Sequence, residues 1–308
     1  MMPSTVKARR NCRLLRRVTL RQPIFGLWLI LVTLAGFLPA AFATEPDKSG
    51  DYGLWDPHRR PEKPDLRTLR QIRFLTEDDF PPFDFQGSSG SLEGFNVDMA
   101  RAICRQLELT CTIQARRWDT IVAALEAGQA DVIAASLVPS VQARSRLQFS
   151  MPYYLRPARL VVRRQATEIQ LTSGGLAGRR MGVLAGSAHE AYAKAYFNGA
   201  ALMPFASDEA LRSALQRGDI DLALGDGIAL SLWLNGTSSA GCCTFAGAPY
   251  LDSHFFGDGI GMAMRREDVA LRQAIDYALF QIWEQGIYAD LVRRWFPVNP
   301  FARATNTP

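Results

Sequence analysis

Residues 72–83 read IRFLTEDDFPPF, and this stretch decides the fold. Its first four residues are mostly apolar and are typical of a buried strand. Three carboxylates follow, Glu77, Asp78 and Asp79, then Phe80 and two prolines. A run of carboxylates is usually a solvated loop, but this one lies just past the first predicted strand, where open α/β sheets bind ligands. The stretch therefore predicts an α/β fold with a binding site beside this loop.

The rest of the chain alternates between predicted strands and helices. Apolar residues recur on one face of a helix at 96–107, and the compact apolar run 132–135 is typical of a strand buried on both faces. The alternation continues with a strand at 181–184 and a helix at 208–217, whereas residues 235–257 read as a loop. This order favours an α/β fold with mainly parallel sheets.

Residues 125–132 and 215–222 repeat one pattern: a Leu, a Gly three positions later, an Asp three further on, and then an apolar strand. Five residues after each Asp stands a polar residue, Ser136 in the first copy and Asp226 in the second. The pattern is common in helix-to-strand loops, and it also fits two similar lobes that direct strand ends at a shared cleft. We favour two lobes, because a polar residue directly after a buried apolar strand has little other reason to stand there than to face a cleft.

Residues 1–43 account for the basic character of the chain. The 308 residues carry a formal net charge of +5, and residues 1–43 contain seven Lys or Arg and no acid, so the remainder carries −2. This distribution indicates a targeting segment and argues against nucleic acid as a partner. An apolar run at 24–37 and the sequence Ala41-Phe42-Ala43 predict a secretory signal peptide that is cleaved after Ala43.

An uncleaved membrane anchor is the alternative. The apolar run is shorter than the roughly 20 residues of a spanning helix, and Pro39 ends it, so we predict an exported, soluble, periplasmic protein. Residues 44–65 are rich in proline and charge and read as an extended leader. The mature chain is long enough for two lobes of about 100 residues each.

Four cysteines follow the signal peptide. Cys104 and Cys111 lie close together, and Cys242 and Cys243 are adjacent. Export to an oxidising compartment favours a disulfide between Cys104 and Cys111 over two buried thiols. The adjacent pair either forms a strained ring or stays reduced, and the sequence leaves both open.

Residues 182–189 read GVLAGSAH, a strand, a turn of small residues and the start of a helix. Free N–H groups at a helix N-terminus attract an anion, although a plain tight turn has the same sequence. Asp226 follows a buried strand and either caps the next helix or contacts a ligand. Together, the turn and Asp226 would suit a zwitterion.

Arg144 is the candidate for holding a carboxylate through two parallel hydrogen bonds, with a surface arginine as the alternative. Phe80 and Trp118 are either core residues or walls of a cleft. The three histidines have no metal-ligand spacing among themselves or with cysteine. The sequence contains no nucleophile elbow, phosphate-binding loop or dinucleotide fingerprint, so we predict no metal, no cofactor and no catalytic role.

Nine motifs occur in order between residues 70 and 297: IRFLTEDDFPPF, GFNVDMARAIC, RRWDTIVAAL, GQADVIAAS, FSMPYY, LAGRRMGVLAGSAHEAY, GDIDLALGD, GIGMAMRRED and QIWEQGIYADLVRRWF. In this order and spacing they resemble family 3 periplasmic solute-binding proteins, the receptors of polar amino-acid ABC transporters. The resemblance implies the type II periplasmic binding fold, with two lobes, each a mainly parallel sheet flanked by helices, joined by two hinge strands.

The resemblance also implies where each part of the chain lies. Lobe 1 would contain residues 66–156 and 257–297, and lobe 2 would contain residues 163–250. The hinge strands would lie near residues 159–162 and 255–259, and residues 298–308 would form a tail. The ligand contacts would be an aromatic stack at Phe80, a second wall at Trp118, an acidic contact at Glu77, a strand end at Ala135 and Ser136, an anion-binding turn at Gly186, Ser187 and Ala188, and an α-amino partner at Asp226. The family's Cys-x6-Cys disulfide matches Cys104 and Cys111.

Three positions depart from the pattern of the family. Ala143 stands where many members carry the carboxylate-binding arginine, with Arg144 beside it, and Val138 and Ala188 stand where Ser or Thr is common. Either Arg144 takes the role after a small shift, or the ligand is not an ordinary amino acid.

The resemblance implies a monomeric periplasmic receptor that binds a small polar, amine-bearing solute and delivers it to an ABC permease in the inner membrane. One alternative is a dehydratase-like enzyme on the same scaffold, with His189 and Glu190 as the first candidates for catalysis. Another is a ligand-sensing subunit without transport.

Overall fold

The computed structural model describes residues 58, 60–67, 69–166, 169–172 and 174–302. The predicted signal peptide and most of the predicted leader lie outside these residues. Near the start of the described chain, Arg60 forms an ion pair of 2.7 Å with Glu284. No helix within the described ranges combines the length and the apolar character that a membrane span requires.

Two five-stranded sheets form the two lobes of the protein. The first sheet contains, in spatial order, β5 (Thr110–Ala115), β1 (Gln71–Thr76), β6 (Val132–Ile133), β13 (Ala263–Arg265) and β7 (Leu147–Phe149). Strands β5, β1 and β6 are parallel, and β13 is antiparallel to both of its neighbours. The helices of this lobe are α1 (Phe95–Leu107), α2 (Trp118–Glu126), α3 (Val141–Arg146), α8 (Val269–Glu284) and α9 (Ile287–Trp295).

A small antiparallel sheet follows β1 along the chain. It contains β2 (Asp79–Phe80), β3 (Asp84–Gln86) and β4 (Leu92–Glu93). The acidic run 77–79 therefore leads directly into a short hairpin at the end of the first strand.

The second sheet contains, in spatial order, β10 (Ala201–Phe205), β9 (Arg180–Leu184), β11 (Leu222–Asp226), β8 (Ala158–Arg163) and β12 (Cys243–Tyr250). Strands β10, β9 and β11 are parallel, and β8 is antiparallel to β11 and β12. The helices are α4 (Ala188–Tyr196), α5 (Asp208–Arg217), α6 (Gly227–Asn235) and α7 (Ser253–Phe256), with a 3-10 turn at Thr237–Ser239. Each sheet is mixed: it has two parallel and two antiparallel pairings, although four of its five strands run in one direction. Helices flank both sheets, which confirms the predicted two-lobed α/β fold.

Helix α1 shows how the apolar pattern sets the packing of the first lobe. Val97 and Ile103 on its apolar face are fully buried, and the helix ends at Glu108 in the left-handed region. A disulfide then joins Cys104 in the last turn to Cys111 in β5, with Cα atoms 6.1 Å apart. The predicted pairing is confirmed, and it fixes the end of α1 against an edge strand.

The second lobe also contains a disulfide, and it contains a strand that the sequence pattern did not indicate. Cys242 and Cys243 are bonded to each other. The expectation of a loop at 235–257 is wrong, because β12 lies within it and pairs with β8. Gly247 interrupts the apolar pattern of this region, and the sequence therefore resembles a loop. It lies at φ 66° beside an irregularity in the pairing between Ala246 and Tyr250.

The chain crosses between the lobes earlier than the sequence analysis placed it. Strand β8 pairs along its length with β11 and β12, so residues 159–162 belong to the second sheet and not to a hinge strand. The two crossing segments meet instead at an isolated antiparallel bridge between Tyr154 and Ile260. Most of the second expected hinge region, 255–259, follows or ends the short helix α7.

Residues 298–302, the described part of the predicted tail, pack against both lobes. Phe301 is 1% exposed and belongs to the apolar core of the first lobe. Ser231 Oγ in α6 donates a hydrogen bond to the carbonyl oxygen of Val298. The buried guanidinium of Arg159 in β8 donates to the carbonyl oxygens of Pro300 and Ala302. This segment is therefore an additional connection between the lobes.

Candidate ligand-binding cleft

A cavity of about 920 Å³ lies between the two lobes, and we call it the cleft. The polar strand ends expected from the internal repeat, Ser136 after β6 and Asp226 at the end of β11, both line it. Of the ten predicted ligand-contact residues, eight line the cleft: Glu77, Phe80, Trp118, Ala135, Ser136, Ser187, Ala188 and Asp226. Gly186 and Arg144 do not belong to its lining.

Two exposed aromatic side chains form the wall of the cleft in the first lobe. Phe80 is 44% exposed and Trp118 is 49% exposed. The ring of Phe80 stacks on Phe83 at 5.3 Å between centroids, and Phe83 stacks in turn on Tyr154 at 5.1 Å. Phe80 and Trp118 are therefore surface residues of the cleft and not core residues.

Glu77 provides a carboxylate at the same side of the cleft. Partial burial raises its pKa, and the neighbouring carboxylates Asp79 and Asp78 raise it further. A cationic ligand group beside Glu77 would relieve both effects, since an opposite charge favours the ionised form.

Ser136 is held in position by a buried polar network. It adopts φ 57°, and its Oγ accepts a hydrogen bond of 2.9 Å from Asn96 Nδ2. Asn96 also donates a short hydrogen bond to Asp84 and accepts one of 2.6 Å from the Tyr153 hydroxyl. Left-handed backbone at a non-glycine residue costs about 1–3 kcal/mol and is retained mainly at functional sites. The network therefore fixes one cleft-lining hydroxyl from beneath.

Asp84 is the charged member of this network. Its side chain is fully buried. Burial raises its pKa to about 7, the hydrogen bond from Asn96 opposes that shift, and the charges of Glu77 and Asp79 add to it. Near neutral pH, Asp84 is therefore close to the midpoint of its titration.

The turn at the start of α4 places backbone donors in the second lobe. Ser187 caps the helix: its Oγ accepts from the Glu190 N–H at 3.2 Å and donates to the Leu184 carbonyl oxygen at 2.6 Å. The Gly186 N–H is occupied by Glu190 Oε2 at 2.7 Å. Ala188 and His189, the first two helical residues, line the cleft, and N–H groups at these positions have no carbonyl partner within the helix.

Asp226 serves as a helix cap and also lines the cleft. Its Oδ1 accepts hydrogen bonds of 3.0 Å from the N–H groups of Ile228 and Ala229, at the start of α6. Its Oδ2 accepts from Arg156, at 3.1 Å from Nη2 and 3.4 Å from Nε. One oxygen is thus committed to the fold, and the other pairs with Arg156, which also lines the cleft.

Arg144 lies elsewhere. Its Nε donates to the Pro139 carbonyl oxygen at 3.0 Å, and its guanidinium lies 5.7 Å from the centre of the Phe149 ring. Ala143, one residue earlier in α3, packs against the apolar cluster of the first lobe. Successive helical residues point about 100° apart, so a shift of one position turns the guanidinium away from the side that Ala143 occupies.

Sequence reasoning missed four polar cleft residues or gave them no ligand role: Tyr154, Arg156, His189 and Asp208. Arg156 lies in the first crossing segment, and no pattern in its sequence separates it from the other arginines nearby. His189 stacks on Phe256 at 5.3 Å, and burial lowers its pKa, which favours the neutral ring at pH 7. Asp208 lies in the first turn of α5, where an acid also favours the helix dipole.

No group of three or more His, Cys, Asp or Glu in the described part of the chain is arranged to hold a metal ion. The cleft instead combines aromatic walls, helix-start N–H groups and carboxylates. Together with the two-lobed α/β fold, this defines a class of protein, the two-lobed receptors for small solutes.

The chain belongs to the bacterial extracellular solute-binding proteins, family 3, whose family model matches residues 72–298. The lysine/arginine/ornithine-binding periplasmic protein of Escherichia coli K12 is 29% identical over 232 residues, covering 75% of this chain and 89% of that protein. The histidine-binding periplasmic protein of the same strain is 30% identical over 234 residues, covering 75% of this chain and 90% of that protein.

Solved structures show the same fold. The L-cystine solute receptor of Neisseria gonorrhoeae, in its unliganded open conformation, aligns with a TM-score of 0.64 at 20% identity, covering 76% of this chain and 95% of that chain. The second substrate-binding domain of a putative amino-acid ABC transporter from Streptococcus pneumoniae aligns with a TM-score of 0.61 at 21% identity. The alignment covers 73% of this chain and 99% of that chain.

Proposed function

We propose that this protein is a periplasmic receptor that binds an amino acid or a related amine-bearing solute for an ABC transporter. The observation that carries the proposal is the position of Asp226 in a cleft walled by Phe80 and Trp118. One of its carboxylate oxygens caps α6, and the other pairs with the half-exposed side chain of Arg156, which also lines the cleft. Such a carboxylate is the natural partner of an ammonium group. The names of the relatives, which bind lysine, arginine, ornithine or histidine, support the same chemistry.

The charges of the cleft favour a solute with positive charge. Its lining contains three carboxylates, Glu77, Asp208 and Asp226, against one guanidinium, Arg156, and the neutral form of His189 is favoured at pH 7. In the proposed complex, Asp226 holds the α-amino group, the Ser187–Ala188 turn contacts an anionic group, and the aromatic pair packs against the body of the solute. Glu77 then faces a second amine where the solute has one.

The proposal includes the path by which the receptor reaches its partner. Residues 1–43 act as a signal peptide that is cleaved after Ala43, and the mature monomer presents its closed form to the permease. Mass spectrometry of the protein recovered from the periplasm tests the cleavage directly. A mature N-terminus at Thr44 is expected, and a chain that retains residues 1–43 in the membrane contradicts this step.

Thermal-shift measurements test the binding itself. Arginine, lysine, ornithine, histidine, cystine and putrescine are added separately to the mature protein. A solute at 100 times its Kd stabilises the folded state by about 2.7 kcal/mol, which is readily detected as a rise in Tm. The variant Asp226→Asn should lose the shift. Asp219→Asn is the matched control, since Asp219 forms an exposed ion pair with Arg217 and does not belong to the cleft lining.

Binding without chemical conversion is part of the same proposal. Each solute that raises the Tm is recovered after prolonged incubation and examined by mass spectrometry, and we expect it unchanged. Catalytic conversion would show an enzyme on this scaffold. If none of the solutes raises the Tm, or if Asp226→Asn leaves the shift intact, the proposed function is wrong.

A further inference from the structure

Arg156 has an unusual position in the cleft. It is the only Arg or Lys among the described residues that line the cavity. It follows the bridge between Tyr154 and Ile260 that joins the crossing segments, and it precedes Ala158, which pairs with Asp226 in the second sheet. The fold thus places this guanidinium at the junction of the two lobes, next to the carboxylate proposed to hold the amine.

The ion pair between Arg156 and Asp226 occupies the Asp226 oxygen that does not cap α6. Oδ1 of Asp226 is committed to two N–H groups of α6, and Oδ2 accepts from Arg156 at 3.1 Å. An incoming ammonium group must therefore share or displace the guanidinium. The Arg156 side chain is 51% exposed, and exposed ion pairs contribute little free energy, so this displacement is accessible.

Once displaced from Asp226, the guanidinium of Arg156 requires a new anionic partner. A zwitterionic solute supplies one in its carboxylate group. Ala143 offers no charge, and Arg144 is engaged with Pro139 and lies beside Phe149. Within the described lining, only Arg156 can hold a carboxylate through two parallel N–H donors, the geometry that makes guanidinium–carboxylate pairs strong and specific.

We propose that Arg156 is a specificity-determining residue that exchanges partners. In the empty cleft its guanidinium pairs with Asp226, at the position that the ligand's ammonium group takes in the complex. In the complex the guanidinium pairs with the ligand's carboxylate. A zwitterion replaces both halves of the internal pair. A decarboxylated amine displaces Arg156 and leaves it without an anion. This inference rests on the proposed function and adds the group that distinguishes amino acids from simple amines.

Matched pairs of solutes test the exchange by isothermal titration calorimetry: L-arginine with agmatine, L-lysine with cadaverine, and L-histidine with histamine. The wild-type protein should bind at least one amino acid about 10- to 100-fold more tightly than its amine, the factor that corresponds to one hydrogen-bonded charge pair of about 1.5–3 kcal/mol. In Arg156→Gln, that preference should fall to threefold or less, because amino acids lose a partner and amines lose a competitor.

Three further variants make the result specific. Arg164→Gln removes a guanidinium that donates to the Gly241 carbonyl oxygen outside the cleft lining, and it should keep the wild-type preference. Arg144→Gln tests the position that the sequence favoured, and a loss of preference there instead of at Arg156 overturns the inference. Arg156→Lys keeps the charge without the planar fork and should give an intermediate preference, so the inference can be tested even if Arg156→Gln does not fold.

The outcomes also separate this inference from the proposed function. If an amino acid binds and Arg156→Gln keeps the full preference over the amine, the inference is wrong and the receptor function stands. If amines bind the wild-type protein as tightly as their amino acids, the inference is equally wrong. If no amino acid binds at all, both fail.

Discussion

Asn96 Nδ2 donates a hydrogen bond of 2.9 Å to Ser136 Oγ, and this contact joins the buried polar core of the first lobe to the wall of the cleft. Asn96 is fully buried at the start of α1. Its amide also bonds Asp84 and the hydroxyl of Tyr153. Since one side chain satisfies three polar partners, changes beneath the cleft should affect both stability and binding.

Replacing Asn96 with Ala should destabilise the protein by about 2–4 kcal/mol, because it leaves buried groups of Asp84, Tyr153 and Ser136 without their partner. Urea unfolding followed by circular dichroism measures this change. Asn235→Ala, at the exposed end of α6, is the matched control and should stay within about 0.5 kcal/mol. Equal small effects for both variants would show that the network contributes little.

The titration of Asp84 should make stability fall as the pH rises from about 4 to about 7. Its pKa in the folded protein is raised to about 7, above that of an unfolded chain, near 3.9. The folded state therefore binds the proton more tightly, and the stability that protonated Asp84 contributes is present below pH 4 and lost as the pH passes 7. Each pKa unit corresponds to about 1.4 kcal/mol, so the loss is at most about 4 kcal/mol.

The variant Asp84→Asn, which cannot ionise, tests this dependence in urea unfolding at several pH values between 4 and 8. It should flatten the decline and should be more stable than the wild-type protein at pH 8. Glu77, whose pKa is also raised, contributes a change in the same direction, and Glu77→Gln separates the two. A decline that persists unchanged in Asp84→Asn would assign it to other groups.

Truncating Phe80 should weaken binding much more than folding. The ring is 44% exposed in the empty cleft, so Phe80→Ala should cost about 1 kcal/mol of stability or less. If a solute stacks on the ring, the affinity should fall about 10- to 100-fold, as for a buried aromatic contact at an interface. Calorimetric titration with the amino acid that gives the largest thermal shift measures this, with Val141→Ala as control because Val141 is 90% exposed. An unchanged affinity would remove Phe80 from the ligand surface.

The disulfide between Cys104 and Cys111 should stabilise the protein by about 2.5 kcal/mol, the loop-entropy value for a closure of this length; the two cysteines are separated by 7 positions. The double variant Cys104→Ala/Cys111→Ala should lose that amount in urea unfolding. Dithiothreitol should destabilise the wild-type protein similarly. It should change the double variant little, because the remaining bond, between Cys242 and Cys243, closes almost no loop. A large effect of the reductant on the double variant would assign the stabilisation to the adjacent pair.

Local pattern was sufficient to predict much of the fold. The apolar run before the acidic stretch is β1, and the repeated Leu-Gly-Asp pattern precedes β6 and β11, whose ends meet at the cleft. These elements are readable because burial on both faces of a parallel strand demands a continuous apolar run. Strand β12 was not readable. It is only partly buried and its pairing is irregular around Gly247, so it does not require such a run.

The charged groups of the cleft show more clearly what local sequence does not predict. A place for Asp226 at the cleft could be predicted, because a carboxylate at the end of a buried strand lies at the carboxyl end of the sheet, where such folds bind ligands. The position of a guanidinium could not be predicted. An arginine side chain is long enough to point several ways, and Arg144 and Arg156 have equally unremarkable neighbours in sequence. Only the orientation of α3 and of the first crossing segment decides between them.

The sequence alone therefore predicted the α/β alternation, two lobes, the disulfide in the first lobe, and strand ends that meet at a cleft. The strands and helices follow from burial and from local backbone geometry, which act over a few residues, whereas the disulfide was predicted from export and the ligand contacts from the resemblance to the family. The tertiary structure decided which charges meet: Arg156 with Asp226, and Asn96 with Asp84 and Ser136. Such pairings join residues 12 to 70 positions apart, and the packing of helices and strands in the folded chain, not the local sequence, brings them within hydrogen-bond distance.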